Sequence, residues 1–120
     1  MAVTVLIVDD HPIFRSFARD LLESEGFRVI GESEDGQGAI QAAGTLRPDV
    51  VLLDVQLGDL SGFEVTERLK ADGIHSTVVL VSSRSASDYG DQIQSSGAAG
   101  FVPKGELSGD AIRALLEGAA

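Results

Sequence analysis

Short apolar runs alternate along this chain with segments whose apolar residues recur at helical spacing. The clearest run, residues 50–54, has four consecutive apolar residues and ends on Asp54. A short apolar run without period-2 alternation is typical of a strand that is buried on both faces of a parallel sheet. Alternation of such strands with helices predicts a doubly wound α/β fold, with helices on both faces of the sheet. The expected strands are 3–8, 28–33, 50–54, 78–81 and 98–102.

Helix start and stop signals lie between these runs. The expected helices run from Pro12 to near Gly26, from a cap at Asp35 to before Pro48, from the capping-box pair Ser61 and Glu64 to Gly73, from Ser85 to Ser96, and onward from a cap at Ser108. The segment 85–96 is the weakest of the five, because Gly90 and several serines have poor helix propensity. We therefore expect it to be comparatively mobile.

Size and composition narrow the class of protein. A length of 120 residues predicts one domain over 1–120. No apolar run approaches the roughly 18 residues of a membrane span, and the first residues lack the basic region of a signal peptide. The absence of cysteine favours an intracellular, cytoplasmic location. A net charge of -10 disfavours direct binding to nucleic acid or to an anionic membrane.

Polar side chains follow four of the expected strands, at the edge where parallel strands end. They are Asp9 and Asp10, Asp54, Ser82 and Lys104. Ligands bind outside the carboxyl ends of strands in open α/β sheets. Carboxylates about 5 Å apart repel by roughly 3 kcal/mol per pair at an effective dielectric constant near 20. The cluster therefore needs a cation, and oxygen ligands favour Mg²⁺.

These residues match the requirements of phosphoryl transfer. A carboxylate can act as the nucleophile, while a metal ion, a lysine and a hydroxyl stabilise charge on the phosphoryl oxygens. Lys104 can pair with Asp54 or with an arriving phosphoryl oxygen. The sequence therefore predicts an aspartyl phosphate.

Four stretches together resemble the receiver domain of two-component response regulators. They are Leu-Ile-Val-Asp-Asp-His-Pro at 6–12, Arg-Pro-Asp followed by the apolar run at 47–54, the Ser82 strand end, and Gly-Ala-Ala-Gly-Phe-Val-Pro-Lys at 97–104. The resemblance covers essentially the whole chain. It implies a flavodoxin-like, CheY-like fold with five helices and strand order 2-1-3-4-5.

The resemblance also implies a role for each residue of the acidic site. Asp54 would accept a phosphoryl group from a sensor histidine kinase. Asp9, Asp10 and Asp54 would hold Mg²⁺ together with the backbone carbonyl of Gln56.

Further roles implied by the resemblance concern signalling. Ser82 would hydrogen-bond the new phosphoryl group, Lys104 would pair with it, and Phe101 would be the aromatic side chain whose rotation reports phosphorylation. The Asp-Asp-His-Pro opening resembles the subfamily that is usually followed by a LuxR-type helix-turn-helix domain. A homodimer and a transcriptional output are therefore expected, as is catalysis confined to the chain's own phosphorylation and dephosphorylation.

Two features depart from the family pattern. Many members have a cis proline after the lysine, whereas Gly105 follows Lys104 here, so the geometry of that peptide is left open. No DNA-binding domain lies within the 120 residues. The sequence therefore represents either a free-standing receiver or part of a longer protein, and DNA contact is expected only through another domain.

Two other functions use a similar fold or nucleophile. Phosphatases of the haloacid-dehalogenase type carry an Asp-x-Asp motif. Here Gln56 occupies the second position after Asp54, so the aspartate that would act as general acid is missing. A flavodoxin-like binding module would need a phosphate-binding loop after the first strand, where Asp9 and Asp10 would repel phosphate.

Several of these residues also have purely structural interpretations. Asp54 could cap the loop that follows it, Asp10 could cap the first helix, and Phe101 could simply be a core residue. We expect His11 to be a helix-entry residue and His75 to lie in a loop, with no role for either.

Overall fold

The computed structural model describes residues 2–119, and these contain five strands. Their bounds are Thr4–Val8 (β1), Arg28–Ser33 (β2), Val50–Asp54 (β3), Thr77–Ser82 (β4) and Gly100–Pro103 (β5). They form one parallel sheet in the order β2-β1-β3-β4-β5. The fold class and strand order predicted above are confirmed. The bounds of β2 and β3 agree with the prediction, whereas β5 begins two residues later.

The helices alternate with the strands and begin largely where the capping residues predict. Their bounds are Pro12–Ser24 (α1), Gly36–Leu46 (α2), Gly62–Ala71 (α3), Gln92–Ser96 (α4) and Gly109–Ala119 (α5). Side chains cap three of them: Asp35 accepts from the Gly38 N–H, Ser61 and Glu64 form a reciprocal capping box, and Ser108 accepts from the Ala111 N–H. These polar side chains satisfy N–H groups that have no partner within a helix.

The segment 85–96 is not one continuous helix, contrary to our expectation. It forms a 3₁₀ turn at Ala86–Tyr89 and then the short helix α4. Between them Gly90 has φ 58° and ψ -129°. This conformation is readily accessible only to glycine and cannot continue a right-handed helix. The low helix propensity of this segment is therefore reflected in a break of the helix after Tyr89.

Two apolar cores lie on the two faces of the sheet. Successive strand residues point to opposite faces, so in β3 the side chains of Val50 and Leu52 join one cluster and those of Val51 and Leu53 join the other. The first cluster includes Leu22 of α1 and Ile112 of α5. The second includes buried residues of α2 and α3, among them Ala39, Ala43, Val65 and Leu69. Covering both faces explains the continuous apolar sequence of β3.

The register of the sheet determines which strand ends are neighbours. Val8 lies opposite Leu53, so Asp9 and Asp54 follow at adjacent positions. Ser82 lies opposite Pro103, and Lys104 follows directly. No helix within residues 2–119 is both long and apolar enough to span a membrane.

Candidate functional site

The predicted acidic cluster forms at the carboxyl end of the sheet. Asp9 is completely buried, Asp54 is 3% exposed, and Asp10 is exposed. One ligand atom from each of these residues and from His11 falls within a group whose members all lie within 4.8 Å of one another. The spacing is short enough for one cation to contact several of them.

Lys104 enters this cluster from the end of β5. Its Nζ lies 2.7 Å from Asp9 Oδ2 and 3.4 Å from Asp54 Oδ2. It also lies 4.6 Å from the centre of the Phe14 ring, which places the ammonium against an aromatic face. The sequence predicted pairing with Asp54, and the structure adds a closer contact with Asp9.

Burial makes the charge on Asp54 costly. Desolvation raises the pKa of Asp54 above its ordinary value, and the neighbouring Asp9 charge raises it further. The N–H of Gln56, which donates to Asp54 Oδ1 at 3.1 Å, and the Lys104 ammonium both act to lower this pKa. Burial and repulsion prevail, so these partners compensate only partly for the loss of water around Asp54.

The donor set fits a hard divalent cation such as Mg²⁺. Asp9 Oδ2 is buried and, among the described residues, completes no hydrogen bond, because its contact with Lys104 lacks hydrogen-bond geometry. Asp9, Asp10 and Asp54 supply carboxylate oxygens, which are the ligands Mg²⁺ prefers. When bound, the ion would neutralise charge on the carboxylates and on phosphoryl oxygens. That the backbone carbonyl of Gln56 is a further metal ligand stays a prediction.

His11 has a closer relation to the acids than the sequence suggested. It is the N-cap residue of α1, as expected for a helix-entry position, and Asp10 is not. Its Nδ1 also lies 3.0 Å from Asp9 Oδ1 and 3.0 Å from Asp10 Oδ1. His75 is exposed in a loop, as expected.

Ser82 is buried at the end of β4 and contacts a residue that the sequence analysis missed. Its Oγ lies 2.6 Å from the Tyr89 hydroxyl and accepts from the Arg84 N–H at 3.0 Å. Phe101 is partly buried against the second core cluster, with its ring centre 5.9 Å from that of Tyr89. In the sequence, Tyr89 looks like one member of a thin apolar stripe, and the adjacent Gly90 is the one signal that the chain turns there.

All peptide bonds between residues 2 and 119 are trans, including the bond between Lys104 and Gly105. The geometry that the sequence left open at this position is therefore settled. Lys104 reaches the acidic cluster with glycine following it.

Comparison with known proteins identifies the family. The family model described as the response regulator receiver domain matches residues 5–117. BvgA of Bordetella pertussis, named as a transcription regulator of virulence factors, is 40% identical over 110 residues, covering 92% of this chain and 53% of BvgA. EvgA of Escherichia coli K12, named as a DNA-binding transcriptional activator, is 32% identical over 113 residues, covering 94% of this chain and 55% of EvgA. The chain spans about half the length of these curated relatives.

Solved structures show the same arrangement over nearly the whole chain. The signal receiver domain of NarL from Mycobacterium tuberculosis has a TM-score of 0.85 and 32% identity, covering 97% of this chain and 94% of that one. A LuxR-family two-component response regulator from Aurantimonas sp. SI85-9A1 has a TM-score of 0.87 and 30% identity, covering 98% of this chain and 87% of that one. With the family model matching almost end to end, this chain belongs to the response regulator receiver domain family.

Proposed function

We propose that this chain is a phosphorylation-dependent switch whose phosphoacceptor is Asp54. The observation that carries the proposal is the placement of Asp54, which is buried at the end of β3 with Lys104 Nζ 3.4 Å from one carboxylate oxygen. Asp9 and Asp10 lie beside it as candidate metal ligands. A buried carboxylate with a cation and metal ligands in reach is suited to accept a phosphoryl group.

The donor in this proposal is a phosphohistidine on a sensor histidine kinase. The P–N bond to the kinase histidine breaks and a P–O bond forms to an Asp54 carboxylate oxygen, while the histidine nitrogen regains a proton. Lys104 moves with its flexible side chain to pair with the phosphoryl oxygens, and the Ser82 hydroxyl donates to one of them. Both residues replace water as partners of the added charge. Phe101 is proposed to change rotamer as the site rearranges.

The output in this proposal is a change in transcription. BvgA and EvgA are named as transcription regulators, and each is about twice as long as the matched region. A net charge of -10 makes this chain a poor surface for DNA. We therefore assign DNA contact to another domain, and place the receiver in the cytoplasm with its kinase. Homodimerisation on phosphorylation would couple the receiver to the domain that contacts DNA.

The phosphatase alternative has no support from the family comparison. The model that matches residues 5–117 describes a receiver domain. We accordingly propose that catalysis by this chain is limited to gaining and losing its own phosphoryl group, and that residues 1–120 act as one receiver domain.

Incubation with a small phosphodonor and Mg²⁺ tests the site assignment. The wild type should gain one phosphoryl group by intact mass, and Asp54→Asn should gain none because the nucleophilic oxygen is lost. Asp59→Asn is a matched control: Asp59 lies in the loop that follows β3, but its carboxylate accepts from the N–H groups of Gly36 and Gln37. Continued modification of Asp54→Asn, or no modification of the wild type, would contradict the proposal.

A further inference from the structure

Tyr89 reaches the Ser82 hydroxyl from the turn that follows β4. Its hydroxyl oxygen lies 2.6 Å from Ser82 Oγ, which also accepts from the backbone N–H of Arg84 at 3.0 Å. Ser82 is 1% exposed, so protein groups rather than water determine how its hydroxyl is oriented. These two contacts decide which hydrogen bonds Ser82 can still make.

A serine hydroxyl has one proton to donate and two lone pairs that accept. The Arg84 N–H, which can only donate, occupies one lone pair. Either hydroxyl could be the donor in the 2.6 Å contact. A phenolic O–H is a stronger donor than an aliphatic O–H, which favours donation by Tyr89 and acceptance by Ser82. Both lone pairs of Ser82 are then occupied, and its proton is left for an acceptor elsewhere.

We propose that Tyr89 is a positioning residue for phosphoryl transfer: its hydroxyl donates to Ser82 and so commits the Ser82 proton to the phosphoryl group on Asp54. This inference rests on the function proposed above. It assigns to Tyr89 a positioning role that no pattern in the sequence predicted. Phe101 cannot perform it, because a phenylalanine ring has no hydroxyl.

Neighbouring aromatic rings hold the Tyr89 side chain in position. Its ring packs edge-on against Phe63, with centres 5.5 Å apart, and in a tilted arrangement against Phe101 at 5.9 Å. The turn at Gly90 ends the 3₁₀ segment directly after Tyr89. These contacts hold the hydroxyl in place without using its hydrogen-bonding capacity, so a change of hydroxyl alone is a clean perturbation.

The Tyr89→Phe variant tests the proposal, because it retains the ring and removes the O–H. With acetyl phosphate and Mg²⁺, the steady-state ratio of phosphorylated to unphosphorylated protein should fall about two- to tenfold, the effect of one hydrogen bond. In a Ser82→Ala background the same substitution should cause no further change, because Tyr89 acts through Ser82. Intact mass spectrometry measures the ratio in all four proteins.

Intrinsic fluorescence supplies a second readout that does not require the Tyr89→Phe variant to fold. The chain has 1 tyrosine and 0 tryptophans, so tyrosine emission reports Tyr89 alone. Beryllofluoride with Mg²⁺, a mimic of the phosphoryl group, should change this emission in the wild type. The response should be lost in Ser82→Ala, where the hydrogen-bond partner is gone.

Several results would overturn the proposal. A phosphorylation ratio that is unchanged by Tyr89→Phe, or lowered equally in both backgrounds, would show that Tyr89 does not act through Ser82. A raised ratio would show that Ser82 donates to Tyr89 and must be released. An emission change that persists in Ser82→Ala would also contradict it. Failure of the wild type to accept a phosphoryl group would instead refute the function proposed for Asp54.

Discussion

Asp54 combines a stability cost with a proposed chemical use. Its carboxylate is buried beside Asp9, and burial together with that neighbour raises its pKa. A carboxylate whose pKa is higher in the folded than in the unfolded protein opposes folding when it is ionised. The same poorly solvated carboxylate is the proposed acceptor of the phosphoryl group. The residue that weakens the fold at neutral pH is thus the one on which the proposed function depends.

Asp54→Asn should raise the free energy of unfolding of the metal-free protein at neutral pH. The contribution of Asp54 is present below its ordinary pKa of 3.8 and is lost as the pH rises through the raised folded value. The difference in free energy of unfolding between Asp54→Asn and the wild type should therefore shrink as the pH falls toward 3.8. Urea denaturation over a pH series measures it.

Asp20→Asn provides the control for this prediction, since Asp20 is an exposed acid on α1, away from the site. It should change stability little at any pH. An Asp54→Asn variant that is less stable than the wild type at neutral pH would show that the Lys104 contact outweighs burial and repulsion.

The segment between β4 and β5 is the element whose sequence is least suited to a helix. Gly90 divides it into a 3₁₀ turn and the five-residue helix α4. The break places Tyr89 at the end of the turn, where it reaches Ser82. Weak helix propensity in this element therefore has a structural consequence at the site.

Gly90→Ala should destabilise the protein by about 1–2 kcal/mol, because a side chain at positive φ is strained. A Cβ at Gly90 would meet no atom within 4 Å, so the cost is conformational and not steric. Gly58→Ala is the matched control, with equally open space and no positive φ. Urea denaturation compares the two, and equal effects would argue against a conformational cost at Gly90.

At the scale of the whole molecule, the sheet collects negative charge at one edge. The chain has a net charge of -10, and the site concentrates Asp9, Asp10 and Asp54 around the ammonium of Lys104. Any ion that binds the folded cluster and not the unfolded chain stabilises the fold by mass action. Metal binding and folding are therefore expected to be linked.

Mg²⁺ at ten times its dissociation constant should stabilise the protein by about 1.4 kcal/mol, and the Tm should rise by several degrees. The reason is that the ion relieves repulsion among carboxylates that are close together only in the folded state. Thermal unfolding with and without Mg²⁺ measures the shift. KCl at matched ionic strength controls for screening, and Asp10→Asn should reduce the response. An equal shift with KCl would show that no specific site is involved.

Much of the fold could be predicted because its signals are local. The apolar run ending on Asp54 indicates a strand buried on both faces, and Ser61 with Glu64 marks a helix start through hydrogen bonds within four residues. The alternation of these elements predicts a parallel sheet, and in such a sheet the strand ends meet at one edge. Convergence of Asp9, Asp54 and Lys104 follows from that geometry.

The sequence by itself determined the α/β architecture, the acidic edge and the residues that gather there, because spacing and polarity along the chain encode them. Only the tertiary structure decided that Lys104 lies closer to Asp9 than to Asp54, that His11 contacts two of the acids, and that Tyr89 bonds Ser82. These contacts depend on side-chain directions and on a glycine turn. The Lys104 contacts join strand ends that are far apart in the sequence. The His11 and Tyr89 contacts are close in sequence, but they depend on side-chain orientations that the pattern of residue types does not record.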